Sequence, residues 1–337
     1  MKHLRLRGLH KRFPVGHDWL GRPTRYMPAV VDVDLDIRAG ETLALVGESG
    51  SGKSTLARLL LQLTPADAGS IELDGESLIG LRGERLLAMR RRMQMIFQDP
   101  YSSLDPSLHI RDILAEPLRV HRLGPIDDAR LAHLLAEVGL PAQFLGRMPH
   151  ELSGGQRQRV AIARALAIEP ELIACDEIVS ALDVSTRAQI INLLRALQAG
   201  RGLSMLFITH DLSIVPHVAQ RVAVIYLGRI VEQGAVDAIF ARPAHPYTEA
   251  LLAAVPVANP RSGRRSWKLA READGLAESR PEQGCVYRPR CAMATSRCAS
   301  EAPAIVEWDG RLVACHARPG ARPEPDNMQR HGAARAA

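Results

Sequence analysis

No run of about 18 to 20 uncharged apolar residues occurs in the 337-residue chain, so no segment reads as a membrane-spanning helix. The opening MKHLRLRGLHKR carries charges where a secretory signal needs an apolar core, and the expectation is a cytoplasmic protein that does not itself cross a bilayer. Lysine is scarce: of 43 basic residues only Lys2, Lys11, Lys53 and Lys268 are lysines, a bias consistent with genome composition rather than with a dedicated polyanion partner. Cysteine is scarce too, with five in the chain and only Cys175 ahead of residue 285. At roughly 150 residues per domain the length suggests about two domains, large enough to bury a core without disulfides. Apolar residues make up 46% and charged residues 24%, which excludes a wholly disordered chain.

What charge excess there is sits late. Residues 1–250 carry 29 Lys and Arg against 28 Asp and Glu, and residues 251–337 carry 14 against 9. A solvated basic tail accounts for this, and no specific nucleic acid is expected as a partner. Up to about residue 240, short β-rich apolar runs alternate with helical patterns, the signature of an α/β domain with a largely parallel sheet. Thr42–Val46, Met93–Phe97, Leu172–Asp176 and Ser204–Thr209 read as buried strands, each followed at once by polar residues. Ligands of open parallel sheets bind beyond the carboxyl ends of the strands, so those polar residues are the candidate site. A mainly helical stretch, 99–152, with apolar spacing at Leu131, Leu134, Leu135 and Val138, interrupts the alternation. After about residue 250 the periodicity fades, which puts a domain boundary there and a smaller extension over 251–337.

Gly47-Glu48-Ser49-Gly50-Ser51-Gly52-Lys53-Ser54 fits GxxxxGK[ST] at every fixed position, with a strand before it and a helix, Thr55–Gln62, after it. Glycines let backbone N–H groups approach phosphate oxygens, and the helix adds the positive end of its dipole. Lys53 is expected to neutralise the β- and γ-phosphates and Ser54 to ligate Mg²⁺. The strand ending at Asp176 delivers adjacent acids, Asp176 and Glu177. One carboxylate suits the Mg²⁺ shell and the next suits orienting or deprotonating water. Alone, such a pair is as readily a solvated turn; a phosphate loop upstream gives it a task. Cys175, inside the apolar run, reads as a small core residue.

Leu152-Ser153-Gly154-Gly155-Gln156, continued by Arg157-Gln158-Arg159, resembles the LSGGQ signature of ATP-binding cassette (ABC) ATPases. Ser153 can cap a helix running to Ala167, whose glycines expose N–H groups at its positive end, a second anion-binding surface. A single nucleotide needs one such surface, so two suggest a head-to-tail dimer that sandwiches each ATP. Further motifs follow in the family's order. Gln98 resembles the Q-loop glutamine that contacts Mg²⁺, Ser180-Ala181-Leu182-Asp183 resembles the D-loop, and His210 resembles the switch histidine near the γ-phosphate. Phe13 resembles the aromatic that stacks on adenine, and Val15–Met27 is a candidate insertion. The chain departs from the family at Ile178, where proline most often follows the glutamate; the loop loses a fixed φ there. The resemblance implies an ABC-type P-loop ATPase in which Glu177, His210 and Lys53 are catalytic. Phe13, residues 47–55 including Thr55, Gln98, Ser153, Gly154, Gly155, Gln156 and Asp183 would bind ATP, and Ser54, Gln98 and Asp176 would hold Mg²⁺.

A narrower resemblance spans almost the whole chain. FQDPYSSLDP (Phe97 to Pro106), SALDVS (Ser180 to Ser185), YLGRIVEQG (Tyr226 to Gly234) and HPYTEALLAAVP (His245 to Pro256) resemble the oligopeptide/dipeptide/nickel importer branch. This implies an ATPase subunit for uptake of peptides or a related small solute, peripheral on the cytoplasmic face of the cell membrane. Two permeases, a sister ATPase or a second copy, and a solute-binding protein would be its partners. The rival reading is a soluble ABC ATPase acting as a scaffold or on nucleic acid; such proteins often carry tandem cassettes or long coiled coils, and this chain has one cassette and no sustained heptads.

Cys285, Cys291, Cys298 and Cys315 fall within 31 residues. In a reducing compartment clustered cysteines point to metal more than to disulfides, yet the spacing fits neither zinc CxxC pairs nor the short ferredoxin run. Some members of the branch bind a [4Fe–4S] cluster through a similar pattern, and the resemblance implies four thiolate ligands. Iron–sulfur, zinc and unligated thiols all stay open from the residues, with His316 a bystander.

Overall fold

The computed structural model describes residues 3–255, 281 and 283–317. Most of the basic excess after residue 250, the terminal NMQRHGAARAA and Pro256 of the last importer-like motif lie outside the described residues. The chain divides into two compact units, Met1–Asp237 and Ala238–Ala337, so the division precedes the change in composition near residue 250.

The first unit holds two sheets. Strands β1 (His3–His17), β2 (Pro23–Arg38), β4 (Ala68–Leu73) and β5 (Glu76–Ser77) form an antiparallel sheet in the order β2-β1-β4-β5. Its first two strands make a long hairpin in which Phe13 faces Met27 and Val15 faces Arg25, so Val15–Met27 is the far half of a hairpin rather than a separate insertion. Asp18 closes the tip: its Oδ1 accepts from Leu20 N–H at 2.9 Å and Arg22 N–H at 2.8 Å.

The second sheet has β3 (Thr42–Val46), β6 (Met93–Ile96), β7 (Leu172–Asp176), β8 (Ser204–Thr209), β9 (Arg221–Tyr226) and β10 (Arg229–Ala235) in the order β10-β9-β3-β8-β7-β6. All neighbours are parallel except β9 and β10, which pair antiparallel across the tight Leu227-Gly228 turn. Every residue of β3, β7 and β8 is buried, as expected where both faces of a parallel sheet are covered. That is why these strands were legible as unbroken apolar runs.

Helices α1 (Lys53–Leu60), α2 (Gly83–Arg92), α3 (Pro100–Ser103), α4 (Ile110–Val120), α5 (Asp128–Glu137), α6 (Gly154–Leu166) and α7 (Val184–Arg201) complete the part of this unit that bears on the site. Helices α3, α4 and α5 lie within the interrupting stretch. Leu131, Leu134, Leu135 and Val138 are buried with Ile110, Ile113, Leu114 and Leu118 of α4 and with Val160 and Ile162 of α6 in one apolar cluster.

In the second unit, His245 caps the helix Pro246–Ala253, its Nδ1 accepting from Tyr247 N–H at 3.0 Å. The rings of His245 and Tyr247 both pack on Tyr287, at 5.7 and 5.4 Å between centroids. A short hairpin pairs Val306–Trp308 with Arg311–Val313, and the buried Arg311 donates to the carbonyls of Ala238 and Arg242. Among the described residues no helix is long and apolar enough to cross a membrane.

Candidate functional site

The phosphate loop joins β3 to α1, and its glycines are required by close backbone approach. A Cβ on Gly47 would lie 2.2 Å from the Ile225 carbonyl oxygen, and one on Gly52, at φ +105°, 2.3 Å from that of Ala29. The loop is stitched down from outside by Gly228, whose N–H donates to Ser51 O at 2.8 Å and whose carbonyl accepts from Val31 N–H at 2.8 Å. Lys53 is buried, donating to the carbonyls of Gly47 and Glu48, each at 2.8 Å. Burial pulls its ammonium below the ordinary lysine range, opposed by the charges of Glu177, Asp176 and Glu48.

Two carboxylates at the end of β7 complete the centre. Ser54 Oγ donates to Asp176 Oδ1 at 3.0 Å, so the two groups expected to share Mg²⁺ are already adjacent. Burial raises the Asp176 carboxyl above its usual range; the Ser54 hydroxyl opposes this and the neighbouring Glu177 adds to it. A divalent cation would relieve that cost, and a half-buried hydroxyl beside a buried carboxylate is a hard-oxygen donor set suited to Mg²⁺. Glu177 gathers the remaining groups: Gln98 Nε2 donates to its Oε2 at 3.1 Å, His210 Nδ1 lies 3.1 Å from the same oxygen, and Lys53 Nζ lies 3.8 Å from Oε1. Gln98, expected on Mg²⁺, is found bonded to this carboxylate.

Glu177 holds a left-handed backbone, φ +49°, unusual for a residue with a Cβ. Its N–H donates to Ile208 O at 3.0 Å, and its carbonyl accepts from Ser180 N–H at 3.1 Å and Ser180 Oγ at 2.8 Å. Ile178 and Val179 are buried beneath. Where the family resemblance leads one to look for proline, apolar burial and these bonds anchor the turn. Cys175 behind it is fully buried, its thiol pushed up to about 12 by burial and then by Asp176, as a core residue should be.

The signature segment is built from its own bonds. Ser153 Oγ accepts from Gln156 N–H at 3.3 Å, and Gln156 Oε1 accepts from Ser153 N–H at 3.0 Å, a reciprocal cap that starts α6 at Gly154. A Cβ on Gly155 would lie 2.4 Å from Thr186 Cγ2 in the first turn of α7. Asp183 caps α7, accepting from Thr186 N–H at 2.9 Å and Ser185 Oγ at 2.6 Å, which hold its carboxyl well below the usual range. No hydrogen bond or ion pair among the described residues joins Ser153–Gln156 or Asp183 to the phosphate loop of the same chain. Phe13 stands on the hairpin, half exposed, with Lys11 Nζ 5.5 Å from its ring centroid. Two features had no sequence signal because their partners are distant in the chain: the Gly228 stitch, and Arg157. The Arg157 guanidinium donates twice to Leu152 O, at 3.0 and 2.7 Å, and stacks 3.7 Å over the Tyr101 ring.

The four late cysteines are near enough for their charges to interact. Burial raises Cys315 to about 11, with Cys291, Cys285 and Cys298 adding, and burial likewise raises Cys285 and Cys291. Backbone hydrogen bonds oppose the shift: Tyr287 and Arg288 at Cys285, Met293 at Cys291, Ala317 at Cys315. Among the described residues, however, no group of three or more His, Cys, Asp or Glu side chains is arranged to hold a metal ion. His316 bonds to Glu301 O at 3.0 Å, apart from this group.

Residues 30–180 match the ABC transporter family and residues 231–298 the oligopeptide/dipeptide transporter C-terminal region. A probable peptide ABC transporter ATP-binding protein of Sinorhizobium fredii is 49% identical over 318 residues, covering 94% of this chain and 90% of that protein. The glutathione import ATP-binding protein of Escherichia coli is 55% identical over 259 residues, 76% of this chain, which spans only 42% of that protein. The dimeric, post-hydrolysis structure of the ATP-binding cassette MJ0796 with ADP and Pi superposes with a TM-score of 0.62 at 29% identity, covering 69% of this chain and 98% of that one. The site geometry, the two family matches and these relatives together identify the chain as a member of the ABC transporter ATPases, with a C-terminal region of the oligopeptide/dipeptide type.

Proposed function

We propose that this ABC ATPase powers the import of short peptides or a related small solute, working on the cytoplasmic face of the cell membrane beneath two permeases. A sister ATPase or a second copy would be its partner, and a solute-binding protein would belong to the same system. The observation that carries the ATPase half is the convergence of Gln98, His210 and Lys53 on the Glu177 carboxylate, beside the Ser54–Asp176 pair; the import half is supported by the oligopeptide/dipeptide-type match of residues 231–298 and the peptide-transport relative. Mg²⁺, when bound with ATP, would supply the positive charge that draws the γ-phosphate electrons toward the leaving oxygen. Ser54 and Asp176 would hold it, with Gln98 reaching the same shell on release from Glu177.

Lys53 turns from its loop carbonyls to the phosphates, which removes its desolvation cost by giving it anionic partners. Glu177 accepts the proton of the attacking water, and His210 steadies that carboxylate and the γ-phosphate. Ser153, Gly154, Gly155 and Gln156 of the partner subunit, presented by the capped helix start, cover the same phosphates, and the Asp183 segment follows beside them. Phe13 stacks on the base. Residues 1–250 serve as the nucleotide-binding domain. Residues 99–152 face the permeases, and 251–337 form the importer-type extension.

A [4Fe–4S] cluster on Cys285, Cys291, Cys298 and Cys315 is part of the proposal, supported by the similarity of residues 231–298 to the oligopeptide/dipeptide transporter C-terminal region and by the clustering of these four cysteines within 31 residues. Binding requires the thiols to draw together beyond their present arrangement. Chain purified without oxygen should contain about four irons with a broad visible absorption; neither iron nor zinc at stoichiometric levels would overturn it. For the transport reading, the tagged chain purified from solubilised membranes should bring two permeases with it. Recovery only from the soluble fraction, alone or with ribosomes, would refute that assignment.

A further inference from the structure

At the opposite ends of the strands from Gln98 and Asp176 lies a groove of 450 Å³ that the chemistry of hydrolysis does not use. One wall is a stripe of α2, Glu84, Leu87, Ala88 and Arg91, residues i, i+3, i+4 and i+7 on one helix face. The stripe reads acid, apolar, apolar, base. Opposite the base, His121 and Arg122 follow the end of α4, and Glu169 and Glu171 lead into β7. A second cavity of 420 Å³ shares Glu169 and Glu171 and is walled by Leu4, Ile37, Leu73 and Leu203.

The charges divide into committed and uncommitted ones. Arg92 binds Glu171 through two bonds, at 3.1 and 2.9 Å, and Asp74 at 2.6 Å, so these three are spent on one another. Among the described residues no ion pair joins Arg91 or Arg122 to a carboxylate, or Glu84 or Glu169 to a cation. Burial and then the Arg91 charge make His121 harder to protonate, which shows that the cationic groups crowd one another. Helix polarity favours an acid in the first turn of α2 and bases in the last. It does not explain the exposed Leu87 between them, nor Arg122 and His121 gathered at the same end.

The seven residue steps from Glu84 to Arg91 rise about 10 Å along the helix at ~1.5 Å each. An extended tripeptide spans about the same, at ~3.3 to 3.6 Å per residue. We propose that the groove binds a short peptide, its ammonium at Glu84, an apolar side chain against Leu87, and its carboxylate between Arg91 and Arg122, and that binding there slows ATP hydrolysis. That this peptide is the imported solute, acting as product feedback, rests on the transport reading above. The route is short: α2 runs directly into β6, whose far end delivers Gln98, and Glu169–Glu171 precede β7, whose far end delivers Asp176 and Glu177. Strands of four or five residues place the groove roughly 13 to 17 Å from the site.

The test is calorimetry on the full chain with the tripeptide Ala-Leu-Ala, its N-acetyl and C-amide forms, and inorganic phosphate, using wild type, Arg91→Gln and Glu84→Gln. Saturable binding is expected, with each blocked terminus weakening it at least about tenfold. Arg91→Gln should weaken the free peptide by a similar factor yet leave the C-amide form unchanged, and Glu84→Gln should do the same for the N-acetyl form. Added peptide should lower wild-type ATPase rates severalfold and leave both variants, whose basal rates are normal, unaffected. No saturable binding overturns the proposal, as does phosphate binding as tightly as peptide with N-acetylation harmless, which is a plain anion site. Binding without any change in ATPase overturns the regulatory half. Uptake by the reconstituted transporter is scored separately: a transporter that moves no peptide refutes product feedback, and one that imports no solute at all refutes the transport reading, whatever the calorimetry shows.

Discussion

Asp176 carries a cost that function imposes. The unfolded chain ionises this carboxyl near pH 3.8 and the folded chain only at higher pH, so stability falls as pH rises through that window and the penalty persists at neutrality. Asp176→Asn should therefore raise the melting temperature of the nucleotide-free protein by about 2 to 4 °C while abolishing Mg²⁺-dependent turnover. Scanning calorimetry beside phosphate release checks both halves, and an unchanged or lower melting temperature contradicts the burial argument. Glu177→Gln keeps the shape and the Gln98 contact but removes the base, so hydrolysis should fall about 10²-fold or more with ATP binding retained. Retained turnover in that variant would remove Glu177 from the role assigned to it. His245 has the opposite dependence to Asp176. Burial pushes it down to about 4 against 6.5 when unfolded, so the unfolded chain gains a proton first on acidification. The second unit should lose about 2 kcal/mol between pH 7 and pH 5, read by urea denaturation. His245→Asn, which can still cap the helix, should flatten that slope.

At the scale of elements, the functional pieces are helix starts and strand ends, and each is held by bonds outside itself. The Ser153 cap fixes where α6 begins and so where Gly154 and Gly155 present their N–H groups. Ser153→Ala should cost about 1 kcal/mol and weaken the dimer that ATP stabilises, seen as a higher ATP concentration for half-maximal turnover. The phosphate loop is held by β2 and the Gly228 turn, so it is more tightly fitted than its glycine content suggests. Gly47→Ala drives a Cβ into the Ile225 carbonyl, and destabilisation of about 1 to 3 kcal/mol with loss of ATP binding is expected from unfolding and nucleotide-titration measurements.

At the scale of the molecule, the signature helix and the phosphate loop make no bond to each other within the chain among the described residues, consistent with a site completed by two subunits. Glu177→Gln with ATP should shift the protein to a dimer by light scattering, together with its sister subunit if the pair is heteromeric. A variant that binds ATP and stays monomeric in both mixtures would argue against the sandwich.

The sequence by itself determined the elements whose chemistry is local. Unbroken apolar runs marked β3, β7 and β8 residue for residue, because strands covered on both faces need no alternation. The loop 47–54, the capped Ser153 helix and the Asp176-Glu177 pair were legible because phosphate binding and helix capping act over a few consecutive residues. The antiparallel hairpin His3–Arg38 was not, since its alternation is broken by shifts in register. Only the tertiary structure brought Gln98 and His210 onto one Glu177 oxygen, stacked Arg157 on Tyr101 and stitched Gly228 to Ser51. Those contacts join residues whose separation in the chain leaves no periodic trace. They form only when the order β9-β3-β8-β7-β6 brings distant strand ends side by side.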